Sequence, residues 1–228
     1  LKNDARVNSG KAPYYTQAQI DALGDGTDWQ SEAFRTAPIQ NHQLSLTGGD
    51  DRTRYSISGN YFKQDGVLRN TDFERYSGRI NLDRDFSSRF KVGVNLTASK
   101  ITAQVANAGV VNALLAMPPT VNVYDANGKY TYQSEFETPL GNPIATLEKE
   151  VNQTRTFRML GNVYGEYTFV EGLVGKVSFG ADVINNKQNR YIPSDIYQGA
   201  NSNPTGKGSV GTKFSSTWLN ENTLSYSR

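Results

Sequence analysis

The sequence predicts an all-β chain, an antiparallel transmembrane β-barrel segment of about seven strands. Three observations predict it. Apolar and polar residues alternate with period two along several stretches, and in the clearest of these every charge falls on one parity. The connections between stretches alternate between short and long, as in an up-and-down barrel with short turns on one side of a membrane and long loops on the other. Tyr and Phe recur near the stretch ends, where interfacial aromatic girdles sit.

On the up-and-down model residues 1–40 belong to an extracellular loop. A weak strand over 41–47 carries Leu44 and Leu46, and Gly48-Gly49-Asp50-Asp51 ends it in a tight turn. Residues 54–61 set Tyr55, Ile57, Gly59 and Tyr61 against Arg54, Ser56, Ser58 and Asn60. After a longer loop at 64–72, residues 75–83 set Tyr76, Gly78, Ile80 and Leu82 against Arg75, Ser77, Arg79, Asn81 and Asp83. A short connection at 83–88 leads to 90–99, with Phe90, Val92, Val94, Leu96 and Ala98 on one parity. A long excursion at 101–153 follows. Residues 158–169 then oppose Met159, Val163, Tyr167 and Phe169 to Arg158, Asn162 and Glu166. Val170-Glu171-Gly172 is short, and 173–183 opposes Leu173, Val177, Phe179 and Val183 to Lys176, Ser178 and Asp182. A second long excursion at 185–213 precedes a less regular strand over 214–227 with Trp218, Leu224 and Tyr226.

Composition narrows the function classes. The net charge of +2 makes no electrostatic case for nucleic-acid binding. There is no cysteine, so disulfides, thiolate catalysis and Cys-ligated zinc are excluded. No apolar run approaches the about 20 residues of a membrane-spanning helix. A soluble β-sandwich is the rival fold, since it too alternates apolar-in and polar-out. In that reading the chain is a carbohydrate-binding module, with Trp29 or Trp218 stacking on sugars. A β-rich glycoside hydrolase needs two carboxylates across a cleft, and no such pair stands out.

The motif candidates carry little chemistry. His42 is the only histidine and lacks a nucleophile elbow or the companions of a zinc site. Gly206-Lys207-Gly208-Ser209-Val210-Gly211 fits GxGxxG, yet a strand follows where a dinucleotide fold needs a helix. Asp21, Asp25 and Asp28, with Gly24 and Gly26, could offer oxygens to calcium but lack EF-hand spacing and read as a polar loop. Asp125-Ala126-Asn127-Gly128 reads as a turn. Asn95 and Asn152 sit in glycosylation sequons, which a bacterial barrel leaves unused. Ala108 to Met117 has helical spacing at Val111, Leu114 and Leu115, predicting a short helix that packs within the chain or serves as a lid or partner contact. On the polar parity, Arg54, Arg75, Arg79, Lys91, Arg158 and Lys176 with Asp83, Glu166 and Asp182 are expected to pair across a hydrated wall. No catalytic, metal or cofactor-binding residue is assigned, and no enzymatic activity is expected.

Several stretches resemble the SusC/RagA family of TonB-dependent outer-membrane transporters of Bacteroidetes. The resemblance is carried by Thr27-Asp28-Trp29-Gln30, Phe34-Arg35-Thr36-Ala37-Pro38-Ile39-Gln40-Asn41-His42 and Leu44-Ser45-Leu46-Thr47-Gly48-Gly49. It continues through Tyr61-Phe62-Lys63-Gln64-Asp65-Gly66, Phe73-Glu74-Arg75-Tyr76-Ser77, Met117-Pro118-Pro119-Thr120 and Gly141-Asn142-Pro143-Ile144-Ala145. It implies an internal stretch of a plugged barrel of about 22 strands, with 1–40 an extracellular loop region and 41–228 a partial barrel with long extracellular loops at 101–153 and 185–213. The implied role is part of a TonB-energised importer of oligosaccharides or peptides in the bacterial outer membrane. The implied partners are a SusD-like surface lipoprotein, TonB, the glycan or peptide substrate and outer-membrane lipid.

Overall fold

The computed structural model describes residues 2–132, 140–197 and 206–228. Three short helices come first: α1 (Lys2–Asn8), α2 (Gln17–Leu23) and α3 (Trp29–Ala33). Strands β1 (Ile39–Gly49), β2 (Thr53–Asp65), β3 (Asp72–Asp85) and β4 (Phe90–Gln104) follow, then helices α4 (Val110–Ala116) and α5 (Pro143–Lys149). Strands β5 (Val151–Val170), β6 (Leu173–Ile192) and β7 (Lys207–Tyr226) complete the order. All seven strands form one antiparallel sheet in strict sequence order, β1 to β7. No second sheet faces it among the described residues, so the sandwich alternative falls.

The register keeps each parity on its own face across the whole sheet. Leu82 lies opposite Tyr55 and Val94, Val94 opposite Val163, and Val163 opposite Phe179. The other face runs Arg54–Asp83, Asn81–Asn95, Asn95–Asn162 and Glu166–Lys176. The apolar face is not buried against protein: Leu44 is 80% exposed, Val177 57% and Trp218 70%. An exposed apolar surface of this extent needs a non-aqueous neighbour. On β4 the apolar run spans Phe90 to Ala98, and on β5 it spans Phe157 to Phe169. At about 3.3 Å per residue and a tilt of about 40°, these runs stand about 20 to 30 Å tall, matching the hydrocarbon band of a membrane barrel.

The strands outrun this band. β5, β6 and β7 each hold 20 residues. The excursion expected at 101–153 is therefore 105–150, and the one expected at 185–213 is 193–206. Parts of both expectations, 133–139 and 198–205, lie outside the described residues. The reason for the shortening is physical. Above the apolar band both faces turn polar, as in Asn185-Asn186-Lys187-Gln188-Asn189-Arg190, so alternation fades while backbone pairing continues. Side chains reinforce it: Asn186 Nδ2 donates to Thr156 Oγ1 at 2.8 Å, and Gln188 Nε2 to Asn152 Oδ1 at 3.1 Å.

Strand β7 alternates poorly because Asn220 and Asn222 stand on its apolar face, opposite Phe179 and Val177. Their amides are satisfied locally. Asn222 Nδ2 donates to Asn220 Oδ1 at 2.8 Å, and Asn220 Nδ2 to the Ser178 carbonyl at 3.1 Å.

The short turns have specific chemistry. In the β1–β2 turn the Asp50 carboxylate accepts from the backbone N–H of Arg52 at 2.8 Å and of Thr53 at 2.7 Å. These bonds, Arg52 first, hold its carboxyl below the ordinary 3.8. A depressed folded pKa contributes stability above 3.8 that is lost as pH falls through the folded value. The amides of Arg52 and Thr53 are therefore expected to lose exchange protection below the carboxylate range, and Asp50→Ala to lose it at neutral pH, read by hydrogen exchange. In the β5–β6 turn Gly172 has φ +80°, which disfavours a side chain. A Cβ there would also lie 2.1 Å from the Ser227 carbonyl oxygen.

The main buried core lies outside the sheet faces. It is a cap at the loop end, where Trp29, Ala33, Val110, Leu114, Met117, Val123, Ile144 and Leu147 cluster. The helix expected over 108–117 rested on the spacing of Val111, Leu114 and Leu115. In α4 the buried positions are Val110 and Leu114, continued by Met117, while Leu115 is 65% exposed. Positions i, i+4 and i+7 form one helical stripe, and here that stripe meets α3 and α5. Residues 1–40, read as loop, supply α3 to this core and enter β1 at Ile39.

Candidate functional site

Two surfaces are candidates for function: the polar face of the sheet and the cap above it. The polar face is a wall of paired side chains. Arg158 donates to Asp182 through Nε at 3.0 Å and Nη2 at 2.7 Å, a two-pronged pair across β5 and β6. Lys176 Nζ lies 2.9 Å from Glu166 Oε1, and Asn162 Nδ2 donates to Ser178 Oγ at 2.7 Å. Tyr164 crosses a strand to do the same work: its hydroxyl donates to Asp83 Oδ1 at 2.6 Å. Gly93 allows this, because a Cβ there would lie 2.1 Å from the Tyr164 ring. Lys176 sits over that ring, 4.2 Å from its centre.

The expected charged set is thus assembled on one face, but unevenly. Arg158, Lys176, Asp83, Glu166 and Asp182 are engaged as described. Arg79 donates through Nε to Thr97 Oγ1 at 3.4 Å and has no carboxylate partner among the described residues. Arg75 lies over the Phe62 ring at 5.5 Å. Sequence reasoning missed Tyr164, which alternation placed on the polar parity without marking it as the link between β5 and β3. Asn95, opposite Asn81 and Asn162, is on the same face.

The cap is built from local signals. Asp28 caps α3, its carboxylate accepting from the N–H groups of Gln30 and Ser31 and from the Ser31 hydroxyl at 2.6 Å. The Ser31 bonds lead in holding its carboxyl below the ordinary value. Trp29, 3% exposed, donates its indole N–H to the Pro118 carbonyl at 3.0 Å. Asn142 caps α5, accepting from Ile144 and Ala145 N–H, while its own amide donates to the Val123 carbonyl at 2.8 Å. Pro143 opens that helix, where its missing N–H costs nothing. Burial, followed by the Tyr124 hydroxyl, pushes Tyr130 up to about 12.

A buried carboxylate ties the cap to the sheet. Glu150, 4% exposed, precedes β5 and accepts from Arg190 of β6 at 2.9 Å and from Asn107 Nδ2 at 3.1 Å. Arg190→Ala leaves that carboxylate buried with Asn107 as its remaining side-chain donor. The expected cost is about 1–3 kcal/mol, the penalty for an under-satisfied buried group. Hydrogen exchange at the α5–β5 junction reads it.

The remaining candidates fall to structural roles. His42 sits on the apolar face of β1, stacked with Tyr61 at 6.2 Å between ring centres. Gly206 to Gly211 enters β7, a strand. Asp21 accepts from Gln17 within α2 while Asp28 caps α3, and no group of three His, Asp or Glu side chains with metal-binding geometry forms among the described residues. Trp29, one of the two sugar-stacking candidates, is core. Trp218 lies on the exposed apolar face, stacked on Phe179 at 6.3 Å. Asp125 forms the expected turn, its Oδ1 accepting from Asn127 and Lys129 N–H.

A strictly sequential antiparallel sheet with an exposed apolar band on one face and a paired polar wall on the other is a stretch of membrane β-barrel. Relatives agree. The chain is 34% identical over 94% of its length to TonB-dependent receptor P3 of Formosa agariphila, covering 22% of that protein. It is 27% identical over 63% of its length to TonB-dependent receptor SusC of Bacteroides thetaiotaomicron, covering 16% of it. Among solved structures it resembles the RagAB peptide importer in its closed-closed state, with TM-score 0.72 and 26% identity, over 89% of this chain and 24% of that one. No protein-family model matches the sequence. The chain is homologous to TonB-dependent receptors, SusC among them, and spans about a fifth of the length of the curated relatives it matches. These relatives are receptors and transporters, a non-enzymatic class.

Proposed function

We propose that this stretch is part of the wall of an outer-membrane importer that takes up large nutrients, oligosaccharides or peptides, with energy delivered through TonB. The observation that carries it is the two-faced sheet: the apolar band meets lipid, and the paired polar face lines the route to be plugged and traversed. Every interior strand has both backbone edges paired, as a hydrocarbon environment demands. The likeness to SusC and to the RagAB peptide importer supports import as the activity and a SusD-like surface lipoprotein as the partner. In this reading residues 1–40 and the excursions at 105–150 and 193–206 face the cell exterior, and the turns near 50, 87 and 171 face the periplasm. The cap then lies where a lipoprotein lid and incoming substrate meet the barrel.

The test is uptake by cells carrying the full-length receptor. The protein should fractionate with the outer membrane, co-purify with a surface lipoprotein, and support uptake of a labelled glycan or peptide that stops when TonB is deleted. Uptake that persists without TonB, or a full-length protein recovered in the soluble fraction, would overturn the reading.

A further inference from the structure

The apolar face carries a second feature that import does not use. Just above the hydrocarbon band, its first charged residues on β4, β5 and β6 are Lys100, Arg155 and Lys187, all exposed. Arg155 lies directly opposite Lys187, and Thr102 directly opposite Arg155. Lys100 is therefore one diagonal step from Arg155, and three cations share one patch on adjacent strands about 4.8 Å apart. Like charges placed opposite one another destabilise a sheet. No carboxylate pairs with any of the three among the described residues. Glu74, opposite Thr102 on this face, instead accepts the hydroxyls of Tyr61 at 3.2 Å and Tyr76 at 3.0 Å.

A trough of about 610 Å³ lies beside this patch and includes Lys100 and Phe157 in its lining. Its floor is a cross-strand row of small residues: Gly59 opposite Gly78, and Gly78 opposite Ala98. On the same face Gly48 and Gly175 are overlaid by aromatic rings, of Tyr55 and Phe169. Here nothing overlies the row: a Cβ at Gly59 would meet no atom within 4 Å, and one at Gly78 only a backbone oxygen at 3.8 Å. Leu44, His42, Tyr61 and Tyr76 line the sides. An open apolar slot leading to three cations, none ion-paired among the described residues, fits an amphiphile with an anionic head.

We propose that Lys100, Arg155 and Lys187 hold the phosphate of a phosphorylated glycolipid of the outer leaflet, with one of its acyl chains in the Gly59–Gly78–Ala98 trough. The bound phosphate offsets the Arg155–Lys187 repulsion, and the chain fills the slot that no side chain occupies. The inference rests on the membrane reading above and on the loop end facing outward.

The experiment uses the full-length receptor in lipid nanodiscs, with native mass spectrometry counting retained lipid. The probes are a bisphosphorylated lipid A, its dephosphorylated counterpart and inorganic phosphate. Wild type should retain the phosphorylated lipid, retain little of the dephosphorylated one, and keep its lipid in millimolar inorganic phosphate. Replacing all three cations by Gln should weaken retention by about a hundredfold, the combined effect of three surface charges acting on a lipid phosphate. Gly78→Leu, which fills the trough and leaves every charge in place, should also weaken it. Equal retention by wild type and the triple variant, or equal retention of both lipids, would overturn the proposal. Displacement by inorganic phosphate would overturn the lipid assignment. A receptor that inserts and folds but shows no such difference refutes this site alone, whereas one that fails to insert refutes the membrane reading.

Discussion

An arginine at position 163 is expected to cost the barrel about 2–4 kcal/mol, the penalty for a cation on the lipid face at mid-membrane. Val163 stands at the centre of the apolar run of β5, opposite Val94 and Phe179, and is 45% exposed on the lipid-facing side. An arginine there has nowhere within reach to place its charge, since the flanking apolar positions run from Phe157 to Phe169. The matched control is Asn95→Lys, on the opposite face between Asn81 and Asn162, where water and carboxylates are near. Its expected cost is below about 1 kcal/mol, the scale of a surface substitution. The measurement is denaturant unfolding of the full-length barrel in lipid vesicles, followed by loss of heat-modifiable migration. Equal costs at the two positions would mean that the apolar face does not meet hydrocarbon.

Removing Trp29 should have an effect at least as large, with a different signature. Trp29→Ala takes the largest side chain out of the cap core and strands the Pro118 carbonyl. Truncating a buried Trp costs about 3–5 kcal/mol. The loss should fall on the cap alone, because the sheet's ladder owes nothing to Trp29. Exchange protection should collapse across α3, α4 and α5 while β2 to β6 stay protected, and a protease should cut within 105–150. A uniform loss over strands and cap would show that the two parts unfold together.

Much of the sheet was legible in the sequence because a membrane enforces strict parity. Each strand residue faces either hydrocarbon or the polar side, and one slip would expose a charge to lipid. That constraint ends where the strands leave the bilayer. Beyond Lys100, Arg155 and Val183 both faces are wet, so the strand ends at Gln104, Val151 and Ile192 were invisible to alternation. Of the cap, the helical spacing over 108–117 made α4 legible, and the rest showed only as motifs without a shape. The structure shows what those motifs do: Asp28 and Asn142 start helices, Met117-Pro118 stops one, and Trp29 fills the space between. Local capping chemistry can be read from sequence, but the meeting of 29, 114 and 144 cannot, since it depends on pairings far apart along the chain. The Arg155–Lys187 pair was hidden for the same reason: neither residue signals the other until β5 and β6 are in register.

The strict order of the strands also bears on assembly. Each strand pairs with its neighbours in sequence, so hairpins β1–β2, β2–β3, β3–β4 and β5–β6 can close across tight turns or short links and zip in turn. The β4–β5 pairing is the largest exception, because residues 105–150 intervene, a longer connection than 193–206 between β6 and β7. Closing so long a connection costs roughly 2 kcal/mol more than closing a turn of a few residues. The cap recovers some of that penalty, since α4 and α5 pack on each other and draw the ends of β4 and β5 together. Prior formation of the cap would therefore speed the joining of the two halves of the sheet. A weakened cap would then betray itself in slow membrane insertion, even where the finished wall keeps its stability.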